Sequence, residues 1–124
     1  MDITPLIPAG RQVIEAYGAG GIRVSGTLHT GSILVFADRT MPWPVARPAD
    51  LAGADFAPVL AHGNVAILLL GCGARMALLP AALRQELRAH GIVIDAMDTG
   101  AACRTYNILL AEERRVAAAL IGLG

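Results

Sequence analysis

Apolar positions fall into short blocks of two kinds. In the N-terminal third they are β-branched and punctuated by glycine, and Gln12 to Tyr17, Ile22 to Leu28 and Ser32 to Phe36 read as three short strands. Gly18-Ala19-Gly20-Gly21 and His29-Thr30-Gly31 lie between them, and both connections are short enough for hairpins. Gly26, inside the second strand, points to a bulge or a close backbone approach. Periodicity then stops. Ala37 to Pro48 carries Pro42, Trp43, Pro44 and Pro48 and reads as a surface loop of about twelve residues, a length at which loops tend to be functional.

Beyond the loop the blocks alternate in type. Ala54 to Ala61 reads as a short helix, with Pro58 tolerable because it lies near the first turn. Val65 to Leu70 is apolar on both faces, as a strand covered on both sides should be. Pro80 opens a helix, Leu79, Leu83 and Leu87 mark one face, and Gly91 ends it. Ile92 to Met97 is a second buried strand, and a third helix begins near Thr99. Strand, helix, strand implies a right-handed parallel crossover. The expected architecture is α/β, a mixed sheet in which an N-terminal antiparallel meander joins a parallel βαβ unit. Ala101 to Leu123 stays ambiguous. Nothing breaks a helix there and alanine favours one, yet Arg114 to Ile121 reads equally as a final strand.

Length and charge narrow the classes. A chain of 124 residues fits one domain, 1–124. Ten Arg balance ten acidic residues and there is no Lys. The neutral chain has no field for steering onto nucleic acid or an anionic membrane. A hydrophobic fraction of 55% and a mean hydropathy of +0.56 supply a substantial core. The start, Met1 to Pro5, has no basic segment or long apolar stretch, so no signal peptide is read. The run Val65 to Leu70 is far short of the roughly 20 residues that span a bilayer. Two cysteines are too few for a disulfide framework. A cytoplasmic protein is expected.

Candidate chemistry gathers at two strand ends. Ligands of open α/β sheets bind beyond the carboxyl ends of parallel strands. Gly71-Cys72-Gly73-Ala74-Arg75 supplies a glycine turn and a guanidinium there, and Asp98-Thr99-Gly100 supplies a helix N-terminus with free donors. If the strands are neighbours, the two loops meet. The expected rim of this cleft is Gly71, Gly73, Arg75, Asp98, Thr99, Arg104 and Asn107, against the competing reading that the glycines only make tight turns. Cys103 shares a helix face with Thr99, Ala102, Tyr106 and Leu110, which favours burial. A Cys72–Cys103 redox pair is the alternative. Trp43, between two prolines, is either an anchor for a protein partner or a cover for a sheet face. His62-Gly63 and His90-Gly91 read as helix ends, and no histidine spacing suits a metal. No nucleophile elbow or phosphate-binding loop is present.

One stretch is familiar. Met97-Asp98-Thr99-Gly100-Ala101-Ala102-Cys103-Arg104-Thr105-Tyr106-Asn107, with Gly-Ile-Arg-Val-Ser-Gly at 21–26, Gly-Ser-Ile-Leu-Val at 31–35, Trp43-Pro44 and Leu-Leu-Leu-Gly-Cys-Gly at 68–73, resembles a small family. That family includes the mitochondrial respiratory complex I assembly factor 3 and many bacterial single-domain proteins. The resemblance implies a compact three-layer α/β fold ending in a strand after the Arg-Thr-Tyr-Asn helix. It thereby favours a strand at 114–121, with Arg115, Ala117 and Ala119 exposed against Val116, Ala118 and Leu120. Family members often show glycine where this chain has Glu113, the natural helix terminator. No enzymatic reaction is established for the family. The expectation is therefore a non-enzymatic binding or assembly module without a cofactor. Its protein partner would be a respiratory complex or, as an alternative, export machinery. A small-molecule (anion or nucleotide) or thiol-redox protein using loops 71–75 and 98–104 is the rival reading.

Overall fold

The computed structural model describes residues 9–123, so the Met1 to Pro5 segment read above lies outside the described residues. Strands β1 (Ile14–Gly18), β2 (Gly21–Val24) and β3 (Thr27–His29) form an antiparallel sheet of their own. A second sheet holds β4 (Ile33–Val35), β5 (Thr40–Pro42), β6 (Ile67–Gly71), β7 (Val93–Met97) and β8 (Val116–Leu120) in the order β5-β4-β8-β6-β7. In it β6 runs parallel to both β7 and β8, while β4 is antiparallel to β5 and β8. The expected mixed α/β architecture is present, with β6, helix α2 (Ala81–Ala89) and β7 as its parallel crossover.

Two apolar layers sandwich the five-stranded sheet. On one face, helices α1 (Ala57–His62) and α2 cover Leu34, Leu68, Leu70, Ala117 and Ala119. On the other, helix α3 (Thr99–Ala111) and the small sheet cover Val35, Leu69, Val116, Ala118 and Leu120. Phe36 and Phe56 are wholly buried, and each contributes on the order of 1.5–3 kcal/mol by leaving water. The alternation expected along β8 takes a different form. Ala117 and Ala119 are 1% and 0% exposed, because β8 is a central strand with a packed layer on each side. Side-chain alternation there separates two cores, with no solvent face.

Four local expectations are corrected. The segment Ile22 to Leu28 is two strands, because Ser25 (φ 45) and Gly26 (φ 87) turn the chain between β2 and β3. Gly26 is therefore a turn residue, and the left-handed φ it adopts suits a two-residue hairpin. The third strand of the expected meander, β4, leaves the small sheet and pairs with β8. The loop from Ala37 contains β5, paired to β4. The helix read at Ala54 to Ala61 begins as a 3₁₀ turn, Gly53–Phe56, which passes into α1.

The C-terminal strand forms as the resemblance implies, although its turn lacks glycine. Glu113 takes φ 60, the Glu113 amide donates to Leu110 O and the Arg114 amide to Leu109 O, both at 3.0 Å. That pair of bonds is a Schellman helix ending with glutamate in the glycine position.

Candidate functional site

The carboxyl ends of β6 and β7 do lie side by side, so the two glycine-bearing loops meet. They meet closed. The Gly73 amide donates to Thr99 Oγ1 at 2.8 Å, the Thr99 hydroxyl donates to Ile121 O at 2.7 Å, and the Thr99 amide donates to Gly73 O at 2.8 Å. The Cys72 amide is taken by Met97 O and the Ile121 amide by Gly71 O. A Cβ on Gly71 would overlap the Cα of Thr99. Thr99 is 0% exposed. At the start of α3 the Asp98 carboxylate accepts the Ala101 amide at 2.8 Å, capping the helix with its own acid. Gly71, Gly73, Asp98 and Thr99 therefore make a joint rather than the rim of an open crevice, since the donors an anion needs are already used. Arg75 projects to solvent beyond it.

The cysteines are divided by the sheet. Cys72 packs in the layer of α1 and α2, and Cys103 packs under α3 on the other face. Burial of Cys103, the favoured reading, is what the fold gives, and the alternative redox pair is ruled against because the two thiols belong to different cores. Burial pushes the Cys103 thiol up to about 12, which removes the thiolate needed for exchange chemistry. Trp43 is also corrected as a partner anchor. Its indole is 4% exposed, tilted against Phe56 and donating from Nε1 to Asp55 O at 2.8 Å. It covers the sheet face, and its polar atom is spent inside the protein.

The remaining two residues of the expected rim lead elsewhere. Asn107 of α3 clamps β1, accepting the Ile14 amide at 3.0 Å and donating to Ile14 O at 2.7 Å. One turn earlier on the same helix, Arg104 is exposed and donates from Nη1 to the hydroxyl of Tyr17. Its guanidinium carbon stands 5.8 Å from the centre of the Tyr17 ring, within range of a cation–π contact. The Tyr17 ring, 40% exposed, lies over Gly100, where a Cβ would collide with it. Ile14, Glu15, Tyr17, Cys103, Arg104 and Asn107 line a hollow of about 210 Å³. The ion pairs among the described residues join Asp38 to Arg39 and His62, and Arg47 to Asp50. Arg104 has no acidic partner among them. The sequence places Arg104 at a surface and Gly100 at a helix start, but it does not bring Tyr17 to either of them; the only signal for Tyr17 is the alternation of the first strand.

His62 and His90 end their helices as expected, each followed by a left-handed glycine, Gly63 at φ 80 and Gly91 at φ 79. His62 has a second task. Its ring stacks on Phe36 at 4.5 Å and its Nε2 meets Asp38 Oδ1 at 2.8 Å. That hydrogen bond holds the Asp38 carboxyl below its usual range. Among the described residues no helix is long and apolar enough to cross a membrane.

Comparison with known proteins gives four findings. The model of a family described as a protein of unknown function, DUF498/DUF598, matches residues 14–121. An uncharacterised protein of Rhodobacter capsulatus is 44% identical over 113 residues, covering 91% of this chain and 86% of its own. A protein of Danio rerio named NADH dehydrogenase (ubiquinone) 1 alpha subcomplex assembly factor 3 is 34% identical over 110 residues, covering 88% of this chain. The chain spans only 63% of that relative's length. A crystal structure from Bordetella parapertussis superposes with a TM-score of 0.84 at 40% identity, covering 93% of this chain and 99% of the other.

Proposed function

The chain belongs to the DUF498/DUF598 family, and from that premise we propose that it is a non-enzymatic binding module that helps NADH dehydrogenase to assemble. Relatives carrying the name of an assembly factor for that complex motivate the choice of partner. The observation that carries the binding role is the Arg104–Tyr17 pair. An exposed guanidinium is held in place by an aromatic ring and its hydroxyl, with no carboxylate within ion-pair distance among the described residues. Arg and Tyr dominate the energetics of protein interfaces because they bring area and directed donors at low entropic cost. Tyr17 fixes Arg104 before any partner arrives, so less side-chain freedom is lost on binding. Arg104, Tyr17 and the hollow beside Asn107 form the contact surface, with Arg75 as a second exposed cation.

The rival reading, an anion or thiol-redox protein, has little to work with at the loops it needs. The amides of Cys72 and Gly73 are occupied, and both cysteines are buried.

The test is isolation of the tagged chain from growing cells, followed by identification of what accompanies it. Subunits of NADH dehydrogenase, lost when Arg104 is replaced by alanine, are the expected result. A purified chain carrying a stoichiometric metabolite in native mass spectrometry, and none of those subunits, would overturn the proposal.

A further inference from the structure

A different surface lies at the far edge of the five-stranded sheet, on the strand β7 and the helix α2 beside it. Strand β7 has a neighbour on one side only. The Val93 amide donates to Ala66 O at 2.9 Å and Met97 O accepts from the Cys72 amide at 2.8 Å. Alternation along a parallel ladder therefore turns the backbone groups of Val93, Asp95 and Met97 toward β6, and those of Ile94 and Ala96 toward the open edge. Such an edge is a template for another strand unless something covers it.

Here the cover is partial. Arg84 of α2 donates from Nη1 to Ile94 O at 2.9 Å. Arg88, four residues on, shares its face of the helix. Arg84, Gln85, Arg88, Ile92, Val93 and Ile94 line a groove of about 290 Å³. Neither arginine has an acidic partner within ion-pair distance among the described residues. The acid of this helix, Glu86, turns its carboxylate to Gly53. Val93 is 51% exposed on the strand itself.

We propose that this edge accepts an extended, acidic segment of a partner protein, which adds to the sheet as a sixth strand. The amides of Ile94 and Ala96 and the carbonyl of Ala96 would supply the main-chain bonds, and Arg88 with Arg84 would meet the carboxylates. Charge selects this occupant over a second copy of the chain. Two copies pairing Ile94 with Ala96 across a two-fold axis would set Asp95 opposite Asp95, a repelling pair, and gather four arginines at one seam. Asp95 lies on the face of β7 away from α2, so an acidic strand whose carboxylates turn to the α2 side meets Arg84 and Arg88 and not Asp95. The surface is independent of the Arg104 site and does not rest on the assembly reading.

The probe is a synthetic peptide, Thr-Glu-Val-Glu-Val-Thr with blocked ends, followed by amide NMR shifts and hydrogen exchange on the whole chain. Shifts and slowed exchange at Ile94 and Ala96 are expected. Arg88→Glu should weaken binding roughly tenfold or more, by turning an attraction into a repulsion. Ala96→Pro, which removes an edge-facing donor that a strand edge can spare, should abolish it. Equal binding of the peptide with lysine in place of glutamate would overturn the proposal. So would an unchanged affinity for Arg88→Glu, or protection at Ile94 and Ala96 that depends on protein concentration without peptide.

Discussion

The hydroxyl of Thr99 accepts the amide of Gly73 at 2.8 Å and so locks together the two loops that an α/β sheet ordinarily leaves open for ligand. Its own proton goes to Ile121 O, tying the start of α3 to the end of β8 as well. Replacing Thr99 with valine keeps the shape and strands a buried donor and a buried acceptor. The expected cost is about 2–3 kcal/mol of stability, read as a lower denaturation midpoint. Thr99→Ser, which keeps the hydroxyl, should lose clearly less. Equal losses for the two variants would mean that packing, and not the hydroxyl, holds the joint.

Glu113 sits at φ 60 in the position where a helix ending favours glycine. A side chain in that region costs roughly 1–2 kcal/mol, partly offset by the greater freedom of glycine in the unfolded chain. Glu113→Gly should therefore stabilise the protein by about 0.5–1 kcal/mol. A thermal melt that shifts downward would show that the glutamate side chain makes a compensating interaction.

Cys103 needs a pH near 12 to ionise, because burial disfavours its thiolate. Cys72 is buried in the opposite layer. At pH 8 a disulfide reagent such as dithiobis-nitrobenzoate should leave both thiols of the native protein unmodified over the time in which it labels both in denaturant. Rapid labelling of either thiol in the native state would revive the redox reading.

The hydrogen bond from His62 lowers the folded-state pKa of Asp38 below that of the unfolded chain. A depressed carboxyl contributes stability above the unfolded carboxylate range, about 4, and loses it as pH falls through the folded value. Asp38 is largely exposed, so the contribution is small. Asp38→Asn should flatten the acid limb of the stability profile and leave the slope above pH 7 unchanged. Superimposable acid limbs would show that the Asp38–His62 pair carries no net stability.

The blocks that can be read in isolation are those whose pattern is local. Val65 to Leu70 is apolar on both faces because it is covered on both sides, so its run is visible without the fold; Ile92 to Met97, read as a second buried strand, is instead the sheet edge, with Val93 and Asp95 exposed. The hairpin at Ser25-Gly26 carries a turn dipeptide, but the strand-like residues on both sides mask it and let Gly26 pass for a bulge within one strand. The departure of β4 to the larger sheet rests on β8, more than 80 residues away in sequence, and no local signal carries it. The candidate site divides the same way. The helical angle of Arg104 was legible and put it at the surface. Its partner Tyr17, 87 residues distant, was not. Gly71, Gly73 and Thr99 looked like an anion site because their donors are free in a sequence and occupied only in three dimensions. The flanking prolines made Trp43 look presented, while Phe56 and Asp55 O, which hold it inward, come from a segment read only as a helix.

The most direct test is the amount of assembled NADH dehydrogenase in cells whose only copy of this chain carries Arg104→Ala. The variant should remain within about 0.5 kcal/mol of the original, as exposed substitutions usually do, and be present at the same level. Native gels should then show clearly less assembled complex than in cells with the unaltered chain, approaching the level of cells lacking it. A full amount of assembled complex in cells lacking the chain altogether would contradict the assembly role. A full amount with Arg104→Ala alone would contradict the surface assigned to it.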